Sequence, residues 1–278
     1  MKVSLPLYDG LSLKISGQSS GGEKYPTRRL QKGLLLLHES QDLAEEGVGF
    51  GVPILKRGVQ TIFPGGAELA QRRKGAVREV EATFEMNLVE RLARPGGGSL
   101  RSRSLYAAKD SLAALHRRSP PLRGALTATS IALRRTFGWV TTFEETGSHG
   151  TLKVTYTIHG KEGRVHIAVD MTDLPSEGIT EVAVMSEQGA RSFDRYRDSD
   201  GATLRGKQIG TWDEVTAATA SFVSTIHGVA FSLRQVDGAR LDRGRELIGA
   251  RVAWSGFGYS LPPTLKTFAY DLTIEKVP

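Results

Sequence analysis

Apolar and polar residues alternate with a period of two along most of this chain. Val3, Leu5 and Leu7, then Leu11, Leu13 and Ile15, flank Asp9-Gly10, which predicts an antiparallel hairpin. Residues 33–39 predict a short buried strand, and 50–55 and 59–63 flank Lys56-Arg57-Gly58 as a second hairpin. In the clearest case Leu152, Val154, Tyr156 and Ile158 precede the turn 160–163, and Val165, Ile167, Val169 and Met171 follow it. A four-residue turn there sets Ile158 opposite Val165 and Lys153 opposite Asp170. One face is then aliphatic, and the other carries Lys153, Thr155, Thr157, His159, Arg164, His166 and Asp170. Further strands are predicted over 179–186, 217–225, 229–236, 249–254 and 268–274. Residues 77–93 fit two periods. Val80, Ala82, Phe84, Met86 and Leu88 alternate as in a strand, whereas Val77, Val80, Phe84, Leu88 and Leu92 fit a helix; the start reads as strand, and both readings stay open after Phe84.

One segment changes period. After Pro95-Gly96-Gly97-Gly98, Leu105, Ala108, Leu112 and Leu115 recur at helical spacing, Pro120-Pro121 breaks the run, and Leu122, Leu126, Leu133 and Phe137 mark a second helix. The expected fold class is therefore mostly β, a large antiparallel β-sandwich of supersandwich size with an inserted helical hairpin. Strand–helix alternation, which would signal a parallel sheet, is absent. The chain divides into an N-terminal β region (1–95), the basic helical hairpin (99–137) and a C-terminal antiparallel β region (139–278), expected to form one composite domain. In size and strand pattern it resembles the galactose-mutarotase-like supersandwiches. The resemblance is architectural; no catalytic motif of that family falls on this sequence, so it implies no residue roles.

Composition sharpens this picture in two places. Zero cysteine among 278 residues removes disulfides, thiolate metal sites and a cysteine nucleophile. One asparagine (Asn87) and 25 arginines against 12 lysines suit a thermophile, because asparagine deamidates when hot; a GC-rich genome also favours arginine. The net charge of +7 is not spread evenly: residues 96–140 hold eight basic side chains and one acidic, while the flanking parts cancel. The arginine pairs Arg117-Arg118 and Arg134-Arg135 close the two predicted helices, where cations meet the negative end of the dipole. They also suit bidentate contact with an anion, and predict weak, salt-sensitive, nonspecific binding to a polyanion. No apolar run reaches membrane length and the first ten residues turn polar early, so no membrane contact and a cytoplasmic location are expected.

Most chemical motifs fail on inspection. The glycines 47, 49 and 51 lack the spacing and following lysine of a phosphate loop, and read as close approach of one backbone to another. G-x-S-x-G is absent. His38-Glu39 lacks the second histidine of a zinc motif, and Asp198-Ser199-Asp200-Gly201 has Tyr196 and Lys207 where a calcium loop needs ligands, so it reads as a polar turn. No metal or cofactor is expected. His38 and Glu39 remain, at the end of a buried strand where loops carry sites; a carboxylate with an imidazole suits general acid–base chemistry. Trp212-Asp213 and the run from Trp254 to Tyr259 offer flat aromatic faces on which sugar rings stack; the alternative is that the tryptophans close the ends of the core. Together with the architectural resemblance, these features predict a carbohydrate-binding or carbohydrate-active protein. The alternative is a non-enzymatic assembly protein that docks a partner or polyanion through the basic hairpin.

Overall fold

The computed structural model describes residues 2–17, 29–58, 60–93, 140–175, 177–248 and 252–277. The helical hairpin predicted over 99–137, with Arg117, Arg118, Arg134 and Arg135, lies outside the described residues. Among the described residues helix is confined to short 3-10 turns such as Gly160–Glu162 and Gly206–Ile209, and the architecture of those residues is antiparallel β.

Four short strands, β1 (Lys2–Pro6), β2 (Leu11–Ser16), β3 (Leu35–His38) and β4 (Gln41–Asp42), pair in chain order as a small sheet. The Asp9-Gly10 hairpin forms as its sequence predicts, with Leu5 opposite Leu13. The main sheet begins with β5 (Gly49–Arg57), β6 (Gln60–Lys74), β7 (Val77–Ala93), β8 (Val140–Glu145), β9 (Thr151–His159), β10 (Arg164–Asp170) and β11 (Ile179–Gly189). It continues through β12 (Arg195–Asp198), β13 (Thr203–Arg205), β14 (Thr211–Glu214), β15 (Thr219–Ser224), β16 (Val229–Arg234), β17 (Arg240–Ile248), β18 (Val252–Leu261) and β19 (Thr267–Lys276). One hydrogen-bonded path joins them in the order β13-β12-β15-β16-β19-β10-β9-β7-β6-β5-β11-β18-β17-β14, with β8 beside β7.

That path folds back on itself, because residues far apart along it touch across the core. Phe50 of β5 meets Phe231 of β16 edge to face at 5.1 Å, and Tyr270 of β19 hydrogen-bonds Ser186 of β11 at 2.8 Å. The buried Tyr156 hydroxyl of β9 donates toward the carbonyls of Phe50 and Gly51, at 3.2 and 3.1 Å. A Cβ on Gly51 would stand 2.7 Å from the Tyr156 ring, so this glycine permits a close crossing rather than holding a phosphate. Strands before and after the segment 94–139 interleave, since β5 pairs with β11 and β7 with β9.

Local pattern and tertiary pairing agree over most of the chain. Val165 stands opposite Ile158 and Asp170 opposite Lys153, the register set by the four-residue turn. Residues 77–93 are strand throughout, because β6 covers one edge of the run while β9 and then β8 cover the other. Pairing with β6 as far as Val89 and with β8 from Leu88 to Ala93 overrides the helical alternative after Phe84. Asp198 accepts hydrogen bonds from the backbone of Asp200 and Ala202, at 3.1 and 3.0 Å, as a polar turn should.

Candidate functional site

The outer face of the sheet, away from the main core, is built by alternation along β11, β18 and β17. On β18, Phe257 and Tyr259 point into the core while Trp254, Gly256 and Gly258 face outward. Cross-strand pairing sets Glu187, Gly256 and Gly244 in one row, and Met185, Gly258 and Asp242 in the next. A second apolar cluster, including Val52, Ala183 and Met185, covers this face on the β5 side, and Trp212 packs against it.

Trp212 reaches the face through a bulge. Thr211 pairs with Gly244 and Asp213 with Arg243, so Trp212 is the extra residue of β14. Its φ of +60° is left-handed, a conformation that costs a bulky residue about 1–3 kcal/mol. The bulge aims the indole onto Trp254: the ring centroids are 4.7 Å apart and the planes 18° from parallel. Two glycines make room for the pair. A Cβ on Gly244 would lie 2.9 Å from the Trp254 ring and from the Trp212 backbone nitrogen, and one on Gly258 would lie 3.3 Å from the Trp212 ring. Both indoles are half-buried, so part of each remains open to solvent.

Beside this platform the Glu187 side chain is 6% exposed, its residue paired with Gly256. Burial pushes its carboxyl up to about 7, opposed by the Val48 N–H (3.4 Å) and Lys32 and reinforced by Glu246. At neutral pH this group can both give and take a proton. At the other end of the face Arg240 holds Asp242 at 3.0 Å and Ser260 at 3.1 Å, and Ser260 donates to Glu181 at 3.1 Å.

The other predicted site residues divide. Trp212 and Trp254 come together, whereas Asp213 pairs with Arg243 on the opposite face of β14 and its carboxyl lies against Gly210. Tyr259 does not join them: it is fully buried on the core side, its hydroxyl donates to the Arg234 carbonyl, and its ring packs on Tyr270 at 4.8 Å. His38 and Glu39 lie in the small sheet. Glu39 and Ser40, with φ of +49° and +71°, form the two-residue turn between β3 and β4, and Glu39 is exposed there. His38 packs edge to face on His227 at 5.7 Å. His227 is held below its ordinary value by burial, then by His38, with Glu45 acting in the opposite direction. Among the described residues no group of three or more His, Asp or Glu is gathered as a metal needs.

Glu187 and the two glycines of the floor were not singled out by sequence. A signal was present for Gly258 alone: in 254–259, period two separates Trp254, Gly256 and Gly258 from Ser255, Phe257 and Tyr259. Glu187 gives no such signal, because Ser186-Glu187-Gln188 reads as a polar strand end while β11 runs on to Gly189.

No family model matches this chain, and no curated protein matches it in sequence. Among solved structures it is similar to an alpha-N-acetylgalactosaminidase from Bifidobacterium bifidum in complex with GalNAc, at 11% identity and a TM-score of 0.49, covering 99% of this chain and 36% of that one. A galactose mutarotase-like protein from Lactobacillus casei ATCC 334 aligns over 99% of each chain, at 11% identity and a TM-score of 0.43. A GH36 alpha-galactosidase from Geobacillus stearothermophilus, bound to 1-deoxygalactonojirimycin, aligns over 99% of this chain and 41% of its own, at 10% identity and a TM-score of 0.41. The chain thus spans well under half the length of the two glycosidases. Similarity at this level assigns it neither ligand nor reaction. Among the described residues no helix is long and apolar enough to cross a membrane.

Proposed function

We propose that the outer face of β11, β18, β17 and β14 binds a sugar ring on the Trp212–Trp254 pair, with Glu187 as its acid–base group. The observation that carries this reading is the strained, bulged Trp212 stacked on Trp254 over a glycine floor, one strand from a carboxyl that keeps its proton near neutrality. A packing role alone gives no reason to hold a tryptophan at positive φ on an edge strand, where it stays partly in water. Indole faces take the C–H side of a pyranose, and a protonated carboxyl can hydrogen-bond a ring or anomeric oxygen and pass a proton to it.

The test is a glycan array followed by calorimetry on the best ligand, with wild type and Trp254→Ala side by side. Saturable binding that weakens about five- to thirtyfold in the variant is expected, since an aromatic contact of this kind contributes on the order of 1–2 kcal/mol. Absence of binding across neutral and acidic glycans, or binding indifferent to Trp254, would remove the proposal. Polarimetry and a reducing-sugar assay on wild type and Glu187→Gln then separate a binding protein from an enzyme: turnover lost in the variant assigns the acid–base role.

A further inference from the structure

The outer face of β11, β18 and β17 continues past the tryptophan pair, and the cross-strand register gives its order. Beyond Trp254 the rows are Glu187–Gly256–Gly244, then Met185–Gly258–Asp242, then Ala183–Ser260–Arg240, with Glu181 beside Lys56 at the far end. Between Trp254 and Ser260, β18 turns only glycines to this face. Trp212 packs on Gly258, so its ring borders the Asp242 row. Two residues along a strand rise about 7 Å, which puts the Arg240 row roughly 14 Å from the Glu187 row.

The polar groups at this end hold one another in place. Arg240 Nε lies 3.0 Å from Asp242 Oδ2, and its Nη2 donates to the Ser260 hydroxyl at 3.1 Å. The Asp242 side chain is only 10% exposed. Ser260 donates in turn to Glu181 Oε1 at 3.1 Å, and Lys56 pairs with the same oxygen. One donor and one acceptor are left over: among the described residues neither Arg240 Nη1 nor Glu181 Oε2 has a hydrogen-bond partner, and neither atom is sealed from solvent. The Arg240 side chain is 39% exposed, so the guanidinium is fixed on one side and open on the other.

A hydroxyl group both donates and accepts, so a spare donor and a spare acceptor on either side of Ser260 complement neighbouring hydroxyls of a sugar. The charge balance disfavours an acidic one. Lys56 and Arg240 face Glu181, Asp242 and Glu214, two cations against three carboxylates, and the Arg240 charge is already matched by Asp242. We infer that this face takes a neutral oligosaccharide, with one ring on the tryptophan pair and a ring farther along the chain hydrogen-bonded by Arg240 and Glu181. The inference rests on the reading of the tryptophan pair as a sugar platform, and adds that a single sugar leaves half of the face unused.

Calorimetry on the whole protein tests it with glucose, galactose, mannose and xylose, their trisaccharides cellotriose, maltotriose, galactotriose, mannotriose and xylotriose, and trigalacturonate as the acidic counterpart. At least one neutral trisaccharide should bind about tenfold or more tightly than its monosaccharide, the worth of a hydrogen bond to a charged group. Arg240→Gln should remove that gain and leave the monosaccharide affinity unchanged. Because this variant strands the buried Asp242 carboxylate, Arg240→Gln/Asp242→Asn, which removes both charges, is measured beside it and should behave alike, with circular dichroism showing that each is folded. Trisaccharides no tighter than their monosaccharides overturn the second subsite and leave the tryptophan reading standing. A gain that survives in the folded variants overturns its location, and trigalacturonate binding more tightly than every neutral trisaccharide overturns the neutral class. Binding by none of these sugars removes the inference together with the reading beneath it.

Discussion

Burial keeps the Glu187 proton in place up to about pH 7, whereas the ordinary glutamate value is 4.5. Between those two points the folded chain binds a proton that the unfolded chain has released, so this residue makes stability fall as pH rises, with no further loss above about 7. The full effect is on the order of 3 kcal/mol. Urea unfolding at about pH 5 and about pH 8 should show the loss in wild type and a clearly smaller one in Glu187→Gln; equal losses would place the carboxyl in water. Tyr156 contributes through its hydrogen bonds. Its hydroxyl is shared by the Phe50 and Gly51 carbonyls deep in the core, so Tyr156→Phe should cost about 1–2 kcal/mol, read as a lower urea midpoint with unchanged m-value.

Among the elements, β17 explains why part of the candidate site was hidden in the sequence. Only Leu241 of its core-side positions is buried and apolar; Arg243 and Arg245 follow, and they donate to the carbonyls of Ile209 and Ala190 at 3.2 and 2.9 Å. Arg243 also lies 4.8 Å over the Tyr196 ring. A strand whose inner positions cap carbonyls with arginine has no hydrophobic alternation to read, and Gly244 on its outer face looks like a breaker until Trp254 is seen above it. The bulge that turns Trp212 outward is likewise set by pairing with β17, not by any property of residues 211–214 alone. Gly244→Ala therefore tests the element: the added methyl meets the Trp254 ring and the Trp212 backbone, at a cost of roughly 1–3 kcal/mol. The coupled circular-dichroism signal of the stacked indoles should collapse while the protein stays folded. A signal that survives the methyl would mean the stack does not depend on the glycine floor.

At the scale of the molecule, the strand pattern in the sequence foretold an antiparallel β fold and the β9–β10 register, because two-sided pairing rewards alternation wherever one face is buried. It could not foretell that one path of strands closes on itself, since the contacts that close it join residues far apart in sequence, such as Phe50 with Phe231 and Ser186 with Tyr270. Phe231 touches Phe50, Phe193, Phe222 and Phe257, with centroids between 4.9 and 5.9 Å, and so ties the two layers together. Phe231→Ala should cost about 3–5 kcal/mol, a large part of the total stability of a domain, and should lower the urea midpoint more than any surface change. The proposed site lies on the outer face of β11, β18 and β17, where the two tryptophans stand beside a glutamate whose carboxyl burial pushes up to about 7. The most direct test of that central claim is a crystal structure of the protein soaked with the best glycan from the array. The account predicts a sugar ring against Trp212 and Trp254, with one of its oxygens in hydrogen-bond reach of Glu187. A ring bound elsewhere on the molecule, with the tryptophan pair bare, would contradict it.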